Sequence, residues 1–339
     1  MTIPVIAFFN NKGGVGKTSL VYHLAWMYAE LGLRVVAADL DPQANLSAAF
    51  VKDDRLEELW ENASDPKTIF DSLKPMIEVT GDIQKPFLET IEDNLALIVG
   101  DMELSVFEDN LSQEWPKCML ASSGGPFRIV SAFWRIMQWA GQSHQADLIL
   151  MDLGPNLGAI NRAALVATDY VVVPLSPDLF SLQGLRNLGP TLRKWRKEWS
   201  EIHEKNPVSD LELPSGQMQP VGYIVLQHAI RLDRPVKAYE KWIERFPRVY
   251  RGSVLDKPDS KKIAVKDDPY CLALLKHYRS LFPMAQEARK PIFQLKSADG
   301  AIGGHFQAVQ EAYQDFQKLA IIIAQKTGIA LPLAEDRSR

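Results

Sequence analysis

Short, wholly apolar runs alternate along this chain with longer stretches in which apolar residues recur every three or four positions. The runs are Val5 to Phe9, Val35 to Ala38, Leu95 to Val99, Leu148 to Met151, Val171 to Val173 and Tyr223 to Leu226. Runs of this length without polar alternation predict strands covered on both faces, as in a parallel sheet. Leu24, Met27, Tyr28 and Leu31 share one face of a helix that Gly32 stops. Ile129, Phe133, Ile136 and Met137 mark another, ending near Gly141, and Leu192, Trp195 and Trp199 form a third stripe. Phe306, Val309, Tyr313, Phe316, Leu319, Ile322 and Ile323 predict a long helix ended by Gly328. Strands alternating with helices predict an α/β fold, a mostly parallel twisted sheet flanked by helices. The stretch from Lys52 to Thr90 has no clear period and is interrupted by Pro66, Pro75 and Pro86, so short helices and loops around the sheet are expected there.

The first apolar run leads into NNKGGVGKTSL, Asn10 to Leu20, and then into the first helical stripe. Strand, glycine-rich loop and helix, in that order, form the setting of a phosphate-binding loop. Gly13, Gly14 and Gly16 let the backbone turn tightly and approach an anion, and with Val15 they line up successive N–H groups as a nest. Lys17 can reach terminal phosphates, the Thr18 hydroxyl can ligate Mg²⁺, and Ser19 can hydrogen-bond a phosphate oxygen further back. Asn11 stands where the general loop pattern has glycine, and a second lysine, Lys12, precedes the glycines.

Two later runs end in carboxylates. Asp39 and Asp41 follow Val35 to Ala38, at the strand end where α/β sheets place their chemistry. One of the two can serve the Mg²⁺ shell and the other an attacking water. Asp152 closes the run Leu148 to Met151, in the position of a Walker-B acid that holds Mg²⁺ directly or through water.

KGGVGKT with both lysines, DLDPQANLS and LILMDLGPN together resemble the ParA/MinD family of P-loop ATPases, in this order from Val5 to Leu188. The resemblance implies one Rossmann-like P-loop domain over 1–330, elaborated around 48–145 and 228–290, with a polar tail over 331–339. It implies that Lys12 crosses a dimer interface to the partner's nucleotide, that Asp41 positions the hydrolytic water and that Asp39 supports the magnesium shell. Leu179 to Leu188 resembles the start of the family's next helix, and Asn156 stands in its switch segment. Gln227 matches a polar residue that approaches the base, and Met284 to Phe293 resembles the segment packed over adenine. ATP and Mg²⁺ are the implied cofactors. A homodimer in the ATP state and a stimulating partner protein are the implied assemblies.

Composition narrows this picture. The net charge of −4 means that any nucleic-acid binding must come from a local patch. Arg193 to Lys197 and Arg248 to Lys266 supply two basic stretches for non-specific DNA binding. Cys118 and Cys271 form no C-x-x-C pair, which argues against the iron–sulfur relatives of the loop and suits reduced cytoplasmic thiols. No signal peptide, membrane span, amphipathic tail or helix-turn-helix before the first strand is read. The expected function is slow Mg-ATP hydrolysis acting as a switch for DNA partition or cargo positioning. The alternative is an ATP switch controlling a protein effector, as in a regulatory or defence subunit, without a DNA role.

Overall fold

The computed structural model describes residues 2–61, 67–120, 123–226, 230–231, 234–235, 237–258, 262–276, 278 and 281–332. The chain runs β1 (Val5–Phe8), α1 (Lys17–Glu30), β2 (Val35–Asp39), α2 (Asn45–Phe50), α3 (Asp53–Glu61), α4 (Ile69–Ile77), β3 (Glu89–Glu92) and β4 (Leu95–Ile98). A 3-10 turn (Met102–Val106) leads to α5 (Phe107–Cys118), α6 (Gly125–Val130), α7 (Ala132–His144), β5 (Leu148–Asp152), α8 (Ala159–Val166), β6 (Tyr170–Leu175) and α9 (Leu179–His203). There follow β7 (Gln219–Leu226), the two-residue strands β8 (Ile230–Arg231) and β9 (Arg234–Pro235), α10 (Lys237–Ile243) and α11 (Phe246–Val249). A π-helical turn (Tyr250–Val254), β10 (Cys271–Leu275), α12 (Leu281–Ala288) and α13 (Gly304–Thr327) complete it.

Eight strands form one sheet in the order β10-β7-β6-β1-β5-β2-β4-β3, parallel throughout except for β3 at one edge. The central strands are buried on both faces, which is why they read as unbroken apolar runs. One face packs Phe107, Trp115, Phe133 and Trp199 from α5, α7 and α9. The other packs Tyr28, Leu46, Phe316 and Ile323 from α1, α2 and α13. The buried Tyr28 hydroxyl donates to the Ala320 carbonyl at 3.0 Å, tying α13 to α1. Cutting one such fully buried leucine, for example Leu24, to alanine removes about 2–5 kcal/mol.

The pattern placed six of the eight sheet strands and missed the two edges. β3 alternates half-buried and exposed residues, so it carries no apolar run. β10 sits at the other edge in a stretch with no period around it. β6 continues through Pro174 to Leu175 rather than ending at the proline. β1 pairs with β6 only as far as Val172, so the side of Pro174 that lacks an N–H faces no strand, and its carbonyl accepts from Asn10 Nδ2 at 2.7 Å. The expected helix ending near Gly141 is two helices broken at Ser131, and the second continues to His144.

The register matters for chemistry. β2 and β5 pair so that Asp39 lies beside Asp152, and β1 places Phe8 beside Asp152 on its other side. The carboxylates and the loop after β1 therefore meet at one edge of the sheet.

Candidate nucleotide site

The loop between β1 and α1 has Gly14 at φ 69° and Gly16 at φ 79°, the left-handed region that glycine enters without strain. A Cβ on Gly16 would also stand 2.5 Å from Leu226 Cδ1. Gly16 is the N-cap of α1 and offers no side chain, so the first N–H groups of this helix are left without a side-chain cap. Free N–H groups and the positive helix end together make an anion cradle. Lys17 is buried beside it, with Nζ donating to the carbonyls of Asn10 at 3.3 Å and Lys12 at 3.4 Å. Burial lowers its pKa, and the charges of Asp152 and Asp41 oppose that shift.

Asp152 is fully buried, and beyond an interaction with the Thr18 hydroxyl its carboxylate meets no donor among the described residues. Burial and the charge of Asp39 push its pKa up to about 8, against the opposing pull of Thr18 and Lys17. A buried carboxylate with so little compensation is a costly arrangement that a divalent cation would relieve. Asp152 and the Thr18 hydroxyl thus fit Mg²⁺, which keeps several waters and takes few protein ligands.

Asp39 is placed differently. Its Oδ2 accepts from both the Ser47 amide and the Ser47 hydroxyl, each at 2.8 Å, and its Oδ1 from the Asp41 amide at 3.3 Å. Burial raises its pKa to about 6, opposed by the Ser47 bonds. Asp39 therefore lies beside Asp152 in the sheet and ties β2 to the start of α2 through Ser47. The Ser47 hydroxyl oxygen also accepts from the Gly100 amide at 2.8 Å, and Trp60 Nε1 donates to the Gly100 carbonyl at 3.0 Å. Asp41 turns away from this relay: its Oδ1 accepts from the Gln43 amide at 3.0 Å and lies against Gly154, beyond β5.

Asn156 sits in the exposed loop between β5 and α8, where its Oδ1 accepts from the Gly158 amide at 2.9 Å and from Asn161 Nδ2 at 3.0 Å. Glu108 caps α8 from outside that loop, accepting from the amides of Ala159 at 2.5 Å and Ile160 at 2.7 Å. Two cavities flank the cradle. One of about 480 Å³ is lined by Thr18, Tyr22, Asn45, Ala48, Phe282 and Arg289. A second of about 100 Å³ is lined by Gly16, Ser19, Leu226, Lys276, Tyr278 and Phe282. Phe282 of α12 borders both, and Ala285, Gln286, Arg289 and Lys290 of the segment Met284 to Phe293 line the larger one. Gln227 lies outside the described residues.

His23 anchors this side. It stacks on Phe316 with ring centroids 4.9 Å apart, and its Nδ1 lies 2.6 Å from the Ser19 carbonyl. The Ile292 amide donates to its Nε2 at 3.2 Å. A carbonyl can only accept and an amide only donate, so the network assigns a neutral ring with its proton on Nδ1. Burial lowers the pKa to about 4. The unfolded chain therefore takes up a proton near pH 6.5 that the folded chain refuses until about pH 4. Stability is expected to fall across that window as pH drops, by about 3 kcal/mol in total. Urea unfolding of the parent and of His23→Gln from pH 7.5 to 4.5 checks this. The parent's extra loss at low pH should be missing in the variant, and equal slopes would reject the assignment.

Lys12, Gly13 to Ser19, Asp39, Asp41 and Asp152 thus converge at one sheet edge, as the pattern predicts. In the first basic stretch the two arginines are engaged internally, while Lys194 and Lys197 stay exposed. Arg193 donates to the carbonyls of Ser253 at 2.6 Å and Val254 at 3.3 Å, and Arg196 to those of Gln217 at 2.6 Å and Met218 at 2.8 Å. In the second stretch, Arg251 is buried against Asp268 at 2.6 Å. Arg248 and Lys262 instead join Arg186 and Arg245 around an open cavity of about 650 Å³. Ser47, Glu108 and Asp178 were not foreseen as functional. Asp178 alone carried a local signal, an acid directly before a helical run.

A family model described as an AAA domain matches residues 3–205. The sporulation initiation inhibitor protein Soj of Bacillus subtilis is 30% identical over 193 residues, covering 57% of this chain and 66% of that one. The chromosome partitioning protein ParA of Myxococcus xanthus is 28% identical over 192 residues, covering 56% and 57%. The matched stretch thus spans between half and two thirds of these curated relatives. A solved Corynebacterium diphtheriae structure superposes with TM-score 0.67 at 23% identity, covering 96% of this chain and 98% of that one, which shows the shared fold.

Proposed function

The chain belongs to the ParA/MinD family of P-loop ATPases, and from that premise we propose that it is an ATP-dependent dimerising switch that hydrolyses Mg-ATP slowly. The observation that carries this reading is the open N-terminus of α1 beside the buried, poorly compensated carboxylate of Asp152, with Lys17 close to both. The N–H groups of Gly13 to Thr18 and the Lys17 ammonium bind and orient the phosphates. Thr18 and Asp152 hold Mg²⁺, which when bound neutralises charge developing on the phosphate oxygens. Asp41 orients water toward the terminal phosphate, and Asp39 keeps β2 and α2 aligned. Lys12 supplies positive charge to the nucleotide of a second copy.

The exposed side chains of Met102, Val106, Leu157, Leu179 and Phe180 all lie in segments that leave the carboxyl ends of β4, β5 and β6. A second copy placed over the nucleotide would cover them, which supports the dimer as the ATP state.

DNA partition or cargo positioning is the role we propose for the switch, through non-specific contact with the phosphate backbone. Arg186, Arg245, Arg248 and Lys262 are the residues we assign to it, since Arg193 and Arg196 are engaged internally. Binding to random-sequence DNA should appear with ATP, be weak with ADP, and fall about 10²-fold or more between 50 and 200 mM salt if several phosphates are contacted. Arg248→Glu should reduce it and flatten the salt dependence. Absence of binding with ATP at low salt, in a protein that still dimerises, would favour the protein-effector role instead.

A further inference from the structure

Lys12 does not point at the cradle of its own chain. Its ammonium pairs with Asp178 Oδ2, and both side chains are partly covered. The same carboxylate is the N-cap of α9, with Oδ1 accepting from the Ser181 amide at 2.9 Å. Burial works to raise the Asp178 pKa, but Lys12 and the Ser181 amide outweigh it and hold the carboxyl below its usual range. The two ends are also fixed in space. Asn10 Oδ1 accepts from the Lys12 amide at 3.1 Å, and a Cβ on Gly184 of α9 would stand 2.9 Å from the Oδ1 atoms of both Asn10 and Asn11. The first turns of α9 therefore pack directly on the strand end from which Lys12 projects.

A lysine held by a carboxylate of its own chain cannot at the same time neutralise a phosphate of another. We propose that Asp178 is a latch that withholds Lys12 in the single subunit and sets how much ATP-bound protein is needed before two copies assemble. This rests on the reading that Lys12 acts across the dimer. Assembly then exchanges one ion pair for another: the Lys12 ammonium leaves Asp178 and meets the phosphates of the second copy. The carboxylate stays behind as the cap of α9, so the helix start is preserved when the lysine departs. Leu179 and Phe180 follow Asp178 directly and are exposed, so the latch lies on the face that the second copy would cover.

Asn and Ser cap helices about as well as Asp. Asp178→Asn thus removes the charge and keeps the cap. Releasing a partly exposed ion pair changes an equilibrium by a factor of about 1.4 to 5. Each assembly event frees two lysines, so the ATP-dependent dimer of Asp178→Asn should be about two- to twentyfold tighter than the parent's by sedimentation at a series of protein concentrations. The gain should vanish when Lys12→Ala is added. Asp178→Ser, with the same expectation, serves if the asparagine variant fails to fold. A dimer of unchanged or weaker affinity in the charge-free variants, with Lys12→Ala alone still blocking assembly, would overturn the latch and leave the trans role of Lys12 intact. A Lys12→Ala protein that dimerises like the parent would remove both.

Discussion

Alanine at Lys17 is expected to weaken ATP binding by about ten- to a hundredfold or more, the largest effect on binding expected at this site. The ammonium is buried, donates only to two loop carbonyls and stands beside Asp152 and Asp41. A charge-assisted hydrogen bond to a phosphate contributes about 1.5–3 kcal/mol, and loss of it leaves the terminal phosphate facing acids with no cation of the chain between them. The fold should survive, because the removed group is a costly buried charge whose bonds in the nucleotide-free protein are long. Nucleotide affinity by calorimetry, alongside a thermal melt without nucleotide, separates the two effects. Unchanged affinity would move the phosphate site away from this loop.

Alanine at Asp41 should act on a different step. The carboxylate stands near Lys17 but forms no hydrogen bond with it among the described residues; its Oδ1 takes the Gln43 amide and lies against Gly154. ATP binding and assembly should therefore persist while phosphate release falls about ten- to a thousandfold, the range for losing a group that orients a reacting water or stabilises developing charge. Phosphate release with size measurement in ATP reads both. Full turnover in Asp41→Ala would shift the water-positioning role to another residue, with Asp152 next to test. A variant that neither assembles nor hydrolyses would instead mean that Asp41 shapes the turn into α2.

Most of this site was legible because its chemistry is local. The phosphate loop needs glycines, a lysine and a hydroxyl at fixed spacing, and Asp39 and Asp152 each end a strand whose apolar run announces it. What was not legible is what joins distant segments. Ser47 looks like any helix-start serine until β2 and α2 place it between Asp39 and Gly100. Asp178 reads as a cap, and its hold on Lys12 spans 166 positions. Half of the basic stretch around Arg193 is spent internally, and this stayed hidden for the mirror reason. Charge count in a sequence does not reveal that two guanidinium groups are spent on backbone carbonyls left open by the π-helical turn and the approach to β7. β3 escaped because one-sided burial leaves it no apolar run, whereas β10, Cys271 to Leu275, is wholly apolar and was legible but not recognised.

The antiparallel edge strand has a bearing on solubility. Beyond β3 the sheet offers a row of peptide groups to which a strand from another molecule can add, the usual route by which folded β-proteins stick together. Here that rim is four residues long and begins and ends in glutamate, and Arg55 grips Glu89 through Nε and Nη2 at 3.1 and 2.9 Å. A second copy approaching in register would bring like charges opposite one another and meet a strand bent by the irregular pairing between Thr90 and Glu92. Replacing Glu89 and Glu92 with threonine would strip this protection, and light scattering of the concentrated, nucleotide-free protein should then rise with time where the parent's stays flat.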